Sequence, residues 1–280
     1  MPSGSDWSAS FASATTDALS FYDEIMVPRL FDPWAELLLD ELNPQSGQAV
    51  LDVACGPGTV ARRAARHVGT SGRVTGCDLS PAMLDLARSK SPDASSAPIS
   101  YLQCPADSLS VADHDFDLVT CQQGLQFFGD RIAALTEMRR ALKSGGRLGV
   151  SVWSNIEDCP PFAALATALD EVMNSETATA YRLGPWGLGD SASIVQSVTE
   201  SGFDDVTVRR IELPLIFDGG PRQLMLTLRA AAVATTLAEL TEAELERLAR
   251  AVDKATQVIT VDGAIRSYAT SHIVTASVGS

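Results

Sequence analysis

The run Val50-Leu51-Asp52-Val53-Ala54-Cys55-Gly56-Pro57-Gly58-Thr59 constrains the fold more than any other part of this chain. It reads as a buried strand, a glycine turn and the start of a helix, whose apolar stripe follows at Val60, Ala61, Ala64, Ala65 and Val68. Gly56 and Gly58 lack a Cβ, so the backbone there can turn sharply and approach a ligand closely. In open α/β sheets this strand-to-helix edge is where ligands are received.

The same alternation continues from residue 48 to about 153. Strands are expected over 49–53, 73–77, 99–103, 116–121 and 147–153. Ser80-Pro81 opens a helix with an N-cap and a proline in its first turn, and Met83, Leu84 and Ala87 form its apolar face. A second helix over 130–143 carries Ile132, Leu135, Met138 and Leu142, and Ser144-Gly145-Gly146 is expected to end it as a glycine C-cap. Repeated βα units of this kind build a parallel sheet through right-handed crossovers.

Outside this block the pattern changes. Residues 17–42 read as two helical pieces broken at Pro28. Beyond 153, helices are expected over 162–173, 191–201, 221–237 and 241–258, the last opened by a capping box at Thr241 and Glu244. Late strands are expected over 206–213 and 265–276. The organisation is thus a flexible tail (1–14), N-terminal helices (15–46), a ligand-binding α/β core (47–153), a helical cap (154–202), and late strands with a helical insertion completing the sheet (203–280). Trp153, Phe162, Trp186 and Met225 are expected to form an apolar cover over a bound ligand.

Charge and cysteine content remove several function classes. The formal net charge of -14 argues against a nucleic-acid partner, because phosphate recognition relies on clustered Lys and Arg. There is no basic run for an anionic membrane, and no apolar stretch long enough to span a bilayer. The first residues lack the charged and apolar regions of a signal peptide. The 5 cysteines include no Cys-x-x-Cys pair, which suits small buried residues of a reduced cytoplasmic protein without a metal.

Gly56-Pro57-Gly58-Thr59-Val60-Ala61 fits G-x-G-x-x-[GA], so a nicotinamide-dinucleotide site and a merely structural turn both stand as readings. Three acids weigh against them. Asp52 lies within the strand end, where a carboxylate would repel a pyrophosphate but favour a cationic ligand. Asp78 ends the second strand, the place for an acid that binds ribose hydroxyls. Asp107 follows the third strand, where it could accept a hydrogen bond from an adenine amino group.

On these residues the chain resembles the class I S-adenosylmethionine-dependent methyltransferases, in particular the small-molecule branch of ubiquinone/menaquinone-biosynthesis enzymes. The resemblance spans about residues 48–153. It is carried by Val50 to Gly58, by Asp78-Leu79-Ser80-Pro81-Ala82-Met83-Leu84, by Ala106-Asp107, by Phe116-Asp117-Leu118-Val119 and by Leu142-Lys143-Ser144-Gly145-Gly146-Arg147-Leu148. It implies a Rossmann-like, seven-stranded, mostly parallel sheet with its last strand antiparallel. It also implies S-adenosyl-L-methionine as cofactor. Ala54, Cys55 and Gly56 would then line the methionine portion, Asp78 the ribose, Leu79 and Met83 the adenine, and Ala106 and Asp107 the adenine edge. Gln122 and Gln123 would lie near the methionine end and the transferable methyl. Ala54 stands where the family's turn usually has its first glycine.

Methyl transfer from a sulfonium is an in-line displacement, so proximity and orientation supply much of the acceleration. A general base helps only when the acceptor must lose a proton. The candidates for that role are His272, inside the last strand, and Glu157 and Asp170, after the fifth. Tyr22, on the leading helix, is a candidate to reach the cofactor's carboxylate. The expected acceptor is a small hydrophobic or aromatic molecule such as a secondary metabolite or a quinone- or prenyl-like compound. A homodimer through the N-terminal helices is conceivable. Three other readings stay open: an enzyme of the same fold performing a cyclisation or decarboxylation, a non-catalytic binding protein, and an NAD-dependent oxidoreductase.

Overall fold

The computed structural model describes residue 19 and residues 21–90, 93–231 and 233–279; the expected tail lies outside the described residues. Its strands are β1 (Ala49–Val53), β2 (Arg73–Asp78), β3 (Ile99–Gln103), β4 (Phe116–Gln122), β5 (Leu142–Trp153), β6 (Asp204–Phe217), β7 (Thr260–Val261) and β8 (Ala264–Ser277). They form one sheet in the order β3-β2-β1-β4-β5-β8-β6, with the two-residue β7 paired to β8. β3 through β5 in that order are parallel. β8 enters antiparallel between β5 and β6, as the resemblance implies.

β1 lies in the middle of the parallel region, paired on both sides, and all its residues are buried. That is why it reads as a continuous apolar run rather than an alternating one. Asp117 locks the region's base: its carboxylate accepts from the Ala49 amide at 2.8 Å and from Lys143 Nζ at 2.8 Å.

Helices cover both faces. On one, α1 (Asp32–Leu42) and α2 (Thr59–Val68) pack Leu39, Leu42, Ala61 and Ala64 against Val50, Val74 and Leu118. α3 (Pro81–Ser89) packs beside β2 and β3, its N-cap Ser80 accepting from the Met83 amide as expected. On the other face, α4 (Arg131–Ala141) packs with α7 (Ser191–Glu200). A third cluster joins α1 to α5 (Pro160–Val172), α6 (Ser175–Leu183), α8 (Gly220–Leu226) and α10 (Glu242–Thr256) over the late strands. The Thr241–Glu244 capping box of α10 is present in both directions.

Several elements depart from the sequence expectation. Pro28 does not break the leading helix: Tyr22–Phe31 is π-helical with Pro28 inside it, and the division falls at Asp32, where Pro33 suits the first turn of α1. Ser144-Gly145-Gly146 does not cap α4, which stops at Ala141. Phe116 pairs with Leu142 and Leu118 with Arg147, so the intervening residues bulge out of β5. Gly145, at φ +71°, donates its amide to the Val278 carbonyl, and that distant contact uses the left-handed freedom that a cap would have used. The helix expected over 221–237 is divided into α8, a 3₁₀ turn (Thr227–Ala230) and α9 (Ala234–Ala238). Helix α6 and the short β7 were not anticipated. Among the described residues, no helix is long and apolar enough to cross a membrane.

Candidate functional site

The C-terminal ends of β1, β2 and β4 and the segment after β3 surround a cavity of about 380 Å³. This edge of a parallel sheet is where α/β folds place ligands, and the volume suits a small organic molecule. Asp78, the last residue of β2, is built into the glycine turn. One carboxylate oxygen accepts from the Gly56 amide at 2.8 Å, the other from the Ser80 amide at 2.8 Å. Burial raises its pKa, and the amides of Ser80, Gly56 and Leu79 oppose that shift. Each oxygen still has acceptor capacity for a ligand hydroxyl. Leu79, Met83, Ala106 and Asp107 line the same cavity, with Leu79 45% exposed at the rim.

The turn after β1 winds through positive φ at Ala54 (+55°), Gly56 (+50°) and Gly58 (+75°). A Cβ on Gly56 would meet nothing within 4 Å, so open space lies over this peptide. Ala54 is tolerated because its neighbour is small: a Cβ on Gly124 would come within 2.8 Å of the Ala54 methyl and 2.9 Å of Cys121 Sγ.

A second, smaller concavity of about 30 Å³ continues past the turn, lined by Asp52, Cys55, Pro57, Thr59 and Val60. It shares Tyr22, Phe31, Ala54, Gly56 and Gln122 with the large one. Asp52 is buried; it accepts from Thr120 Oγ1 at 2.9 Å and from the Ala61 amide at 3.1 Å. Burial pushes its pKa up to about 7 against the pull of these bonds. Thr59, the first residue of α2, has a buried hydroxyl without a hydrogen-bond partner among the described residues. It is not among the site residues expected from the sequence, although a hydroxyl residue at a helix start behind a glycine turn is a usable signal.

Tyr22 and Phe31 form the wall opposite the glycine turn, their rings stacked at 5.1 Å. Burial, with the negative charges of Asp78 and Asp23, raises the Tyr22 phenol well above its ordinary range. Gln122 Nε2 donates to the Phe31 carbonyl at 2.8 Å. Gln123, at φ +52°, donates its side-chain Nε2 to Ser271 Oγ at 3.0 Å. Phe31, Cys77, Cys104, Gly124, Phe127 and Phe128 also line the cavity and were not among the site residues expected from the sequence.

Other candidates stand elsewhere. His272, Glu157 and Asp170 line neither concavity. His272 is buried in β8 with Nε2 at 3.0 Å from the Gly189 carbonyl, Glu157 pairs with Arg182, and Asp170 is exposed on α5. The expected apolar cover is also corrected. Trp153, Phe162, Trp186 and Met225 line neither concavity; the three aromatic residues belong to the third core cluster and Met225 packs against it. Large aromatic side chains gain more from dense packing there than from a wet rim.

The site is acidic. Asp52, Asp78, Asp107 and Asp130 line the two concavities, and no Lys, Arg or His does so among the described residues. No group of three or more potential metal ligands occurs among the described residues.

A sequence model of the ubiE/COQ5 methyltransferase family matches residues 11–173. The chain is 39% identical over 122 residues to the ubiquinone/menaquinone biosynthesis C-methyltransferase UbiE of Psychromonas ingrahamii, covering 43% of this chain and 49% of that one. With UbiE of Pseudomonas paraeruginosa the identity is 32% over 188 residues, covering 62% and 72%. The chain therefore spans about half the length of the first relative and nearly three quarters of the second. Among solved structures, phosphoethanolamine N-methyltransferase 2 of Haemonchus contortus in complex with S-adenosyl-L-methionine shares the fold. The TM-score is 0.60 at 20% identity, over 95% of this chain and 58% of that one.

Proposed function

The chain belongs to the ubiE/COQ5 methyltransferase family, and on that premise we propose that it moves the methyl group of S-adenosylmethionine to a small hydrophobic or aromatic acceptor. The observation that carries the site reading is charge. Asp52, Asp78 and Asp107 stand at three successive strand ends, and no cation lines the site among the described residues. A diphosphate would have to enter this acidic, partly dry crevice without a counter-ion, whereas a sulfonium with an ammonium group is favoured there.

The residues present fit that donor. Asp78 takes the ribose hydroxyls, Leu79 and Met83 flank the adenine, and Asp107 meets its amino group. In the small concavity Asp52 faces the ammonium. The Thr59 hydroxyl, which has no hydrogen-bond partner among the described residues, and the backbone amides of Thr59 and Val60 at the start of α2 take the carboxylate, the Ala61 amide being given to Asp52. When bound, the donor supplies a methyl on a cationic sulfur, already activated for displacement. The chain's contribution is to hold it in one orientation and keep water out, an effect that reaches roughly 7–11 kcal/mol in favourable models.

Calorimetry tests the reading. The purified chain should bind S-adenosylhomocysteine and give no heat with NAD or NADP; the reverse pattern would make it an oxidoreductase. Labelled methyl from the donor should appear in an acceptor drawn from a panel of hydrophobic ring compounds. Turnover of acceptor without label would favour a different reaction on the same fold.

Asp52 also sets a pH dependence. Its pKa in the folded chain lies above the ordinary carboxylate value, so the free protein keeps it protonated up to about 7. Its contribution to stability is therefore complete below pH ~4 and is lost as the pH rises through about 7. Donor binding has the opposite trend, because an ammonium pairs with the ionised form. Affinity for S-adenosylhomocysteine should rise through pH ~7 and then level off, because the ligand's amino group, beside its own carboxylate, keeps its proton beyond that point. Titrations from pH 5.5 to 9 check this, and Asp52→Asn should abolish the acidic limb. Besides Thr120 and Ala61, the charged groups bearing on Asp52 are Asp78, which opposes ionisation, and Arg62, which favours it.

A further inference from the structure

We infer that Gln122 selects the acceptor, its side-chain carbonyl taking a hydrogen bond from an O–H or N–H group next to the atom that receives the methyl. This rests on reading the large concavity as the donor's adenosine end and the small one as its amino-acid end. The sulfur joins those two parts covalently, so it must lie where the concavities meet. The residues common to both are Tyr22, Phe31, Ala54, Gly56 and Gln122. Ala54 and Gly56 belong to the turn after β1 and form the side against which the donor rests. Tyr22, Phe31 and Gln122 are left to face the incoming acceptor.

The three offer different chemistry. Phe31 presents a ring, and Tyr22 a phenol that burial and nearby carboxylates keep protonated. Gln122 presents an amide of determined orientation. Its partner at 2.8 Å is the Phe31 carbonyl, which can only accept, so the atom facing it must be Nε2. Oε1 is then turned away from that bond and has no hydrogen-bond partner among the described residues. Gln122 is half-buried, so this oxygen is spared complete burial and its lone pairs remain for a ligand.

The support is rigid. Gln122 is the last residue of β4 and pairs with Ser151 of β5. Gln123 beside it is held in a left-handed conformation, its backbone amide bonded to the Ser151 carbonyl and its side-chain Nε2 to Ser271 of β8. An acceptor oxygen held by a strand end discriminates sharply, because a ligand lacking the donor leaves it desolvated and unpaired. A ring bearing a hydroxyl is accordingly preferred over the same ring with that hydroxyl capped.

The test uses a matched pair of probes, 2-naphthol and 2-methoxynaphthalene, titrated into the full chain saturated with S-adenosylhomocysteine. The wild type should bind the naphthol about tenfold more tightly, the size of one buried neutral hydrogen bond. Gln122→Met, similar in shape but unable to accept such a bond, should bind both probes equally. Gln122→Asn, too short to span both contacts, should also lose the preference. A wild type that fails to prefer the naphthol, or binds neither probe, overturns the inference. So does a preference that survives in Gln122→Met. A tenfold loss of S-adenosylhomocysteine affinity in that variant would overturn it by assigning Gln122 to the donor. Failure of the wild type to bind S-adenosylhomocysteine is a separate result, which removes the proposed function and this inference together.

Discussion

Asp78→Ala is expected to weaken binding of S-adenosylhomocysteine by about 1.5–3 kcal/mol, on the order of tenfold to a hundredfold. Two effects act together. The ribose loses a charge-assisted acceptor, and the turn loses the carboxylate that receives the Gly56 and Ser80 amides. Those amides are partly buried, so leaving them unpaired loosens the backbone on which the donor rests. Asp78→Asn separates the contributions. Its amide oxygen still accepts one of the two N–H groups, so its loss should be smaller than that of the alanine variant. Isothermal titration measures both. Affinity within twofold of wild type for Asp78→Ala would place the ribose elsewhere and remove this part of the site.

The largest effect on stability is expected at Trp34→Ala, about 3–5 kcal/mol by the behaviour of large core aromatics. Trp34 is 1% exposed and meets Trp153 edge-to-face, with ring centroids 5.8 Å apart. It belongs to the cluster that also holds Phe162, Leu165, Tyr181 and Ile273, so its removal leaves a void bordered by the N-terminal helices and the late strands at once. Urea unfolding followed by fluorescence and circular dichroism checks this. A loss under about 1 kcal/mol would mean that the leading helices are not packed into this core. Trp34 lines neither concavity, so the folded fraction of the variant should bind S-adenosylhomocysteine as the wild type does.

The two variants illustrate different degrees of legibility. Asp78 was readable because its surroundings are local: it ends a strand of buried residues and is followed at once by Ser80-Pro81, a helix start. Thr59 is legible only as a hydroxyl at a helix start, which does not by itself mark a site. What marks it is an unpartnered hydroxyl, and only coordinates reveal a missing partner. The opposite error occurred with Trp153, Phe162 and Trp186. The sequence suggests aromatic residues from the end of the fifth strand onward as a cover over the ligand, yet each lies buried in the core, Phe162 and Trp186 with rings 5.0 Å apart. Hydrophobicity specifies that a side chain will be buried, not against what.

His272 shows the same limit for polar groups. Its place in a strand was legible, but the direction of its ring was not, and Nε2 turns to the Gly189 carbonyl rather than to the cavity. Residues 143–146 show it for the backbone. Glycine after a helix usually caps it, but here the strand register and the Val278 backbone, which accepts from Gly145 and donates to Gly146, take that segment instead.

By itself, then, the amino-acid order determined the βα alternation, the glycine turn, the helix starts at Ser80 and Thr241, and acids at successive strand ends. Each of these follows from periodicity or capping among residues a few positions apart. Tertiary structure alone decided which side chains meet over the cavity. The bond from Gln122 to Phe31 joins residues 91 positions apart, and that from Gln123 to Ser271 joins residues 148 apart. Such contacts form only once the sheet brings β4, β8 and the leading helix to one edge, because no local preference encodes the distance between them.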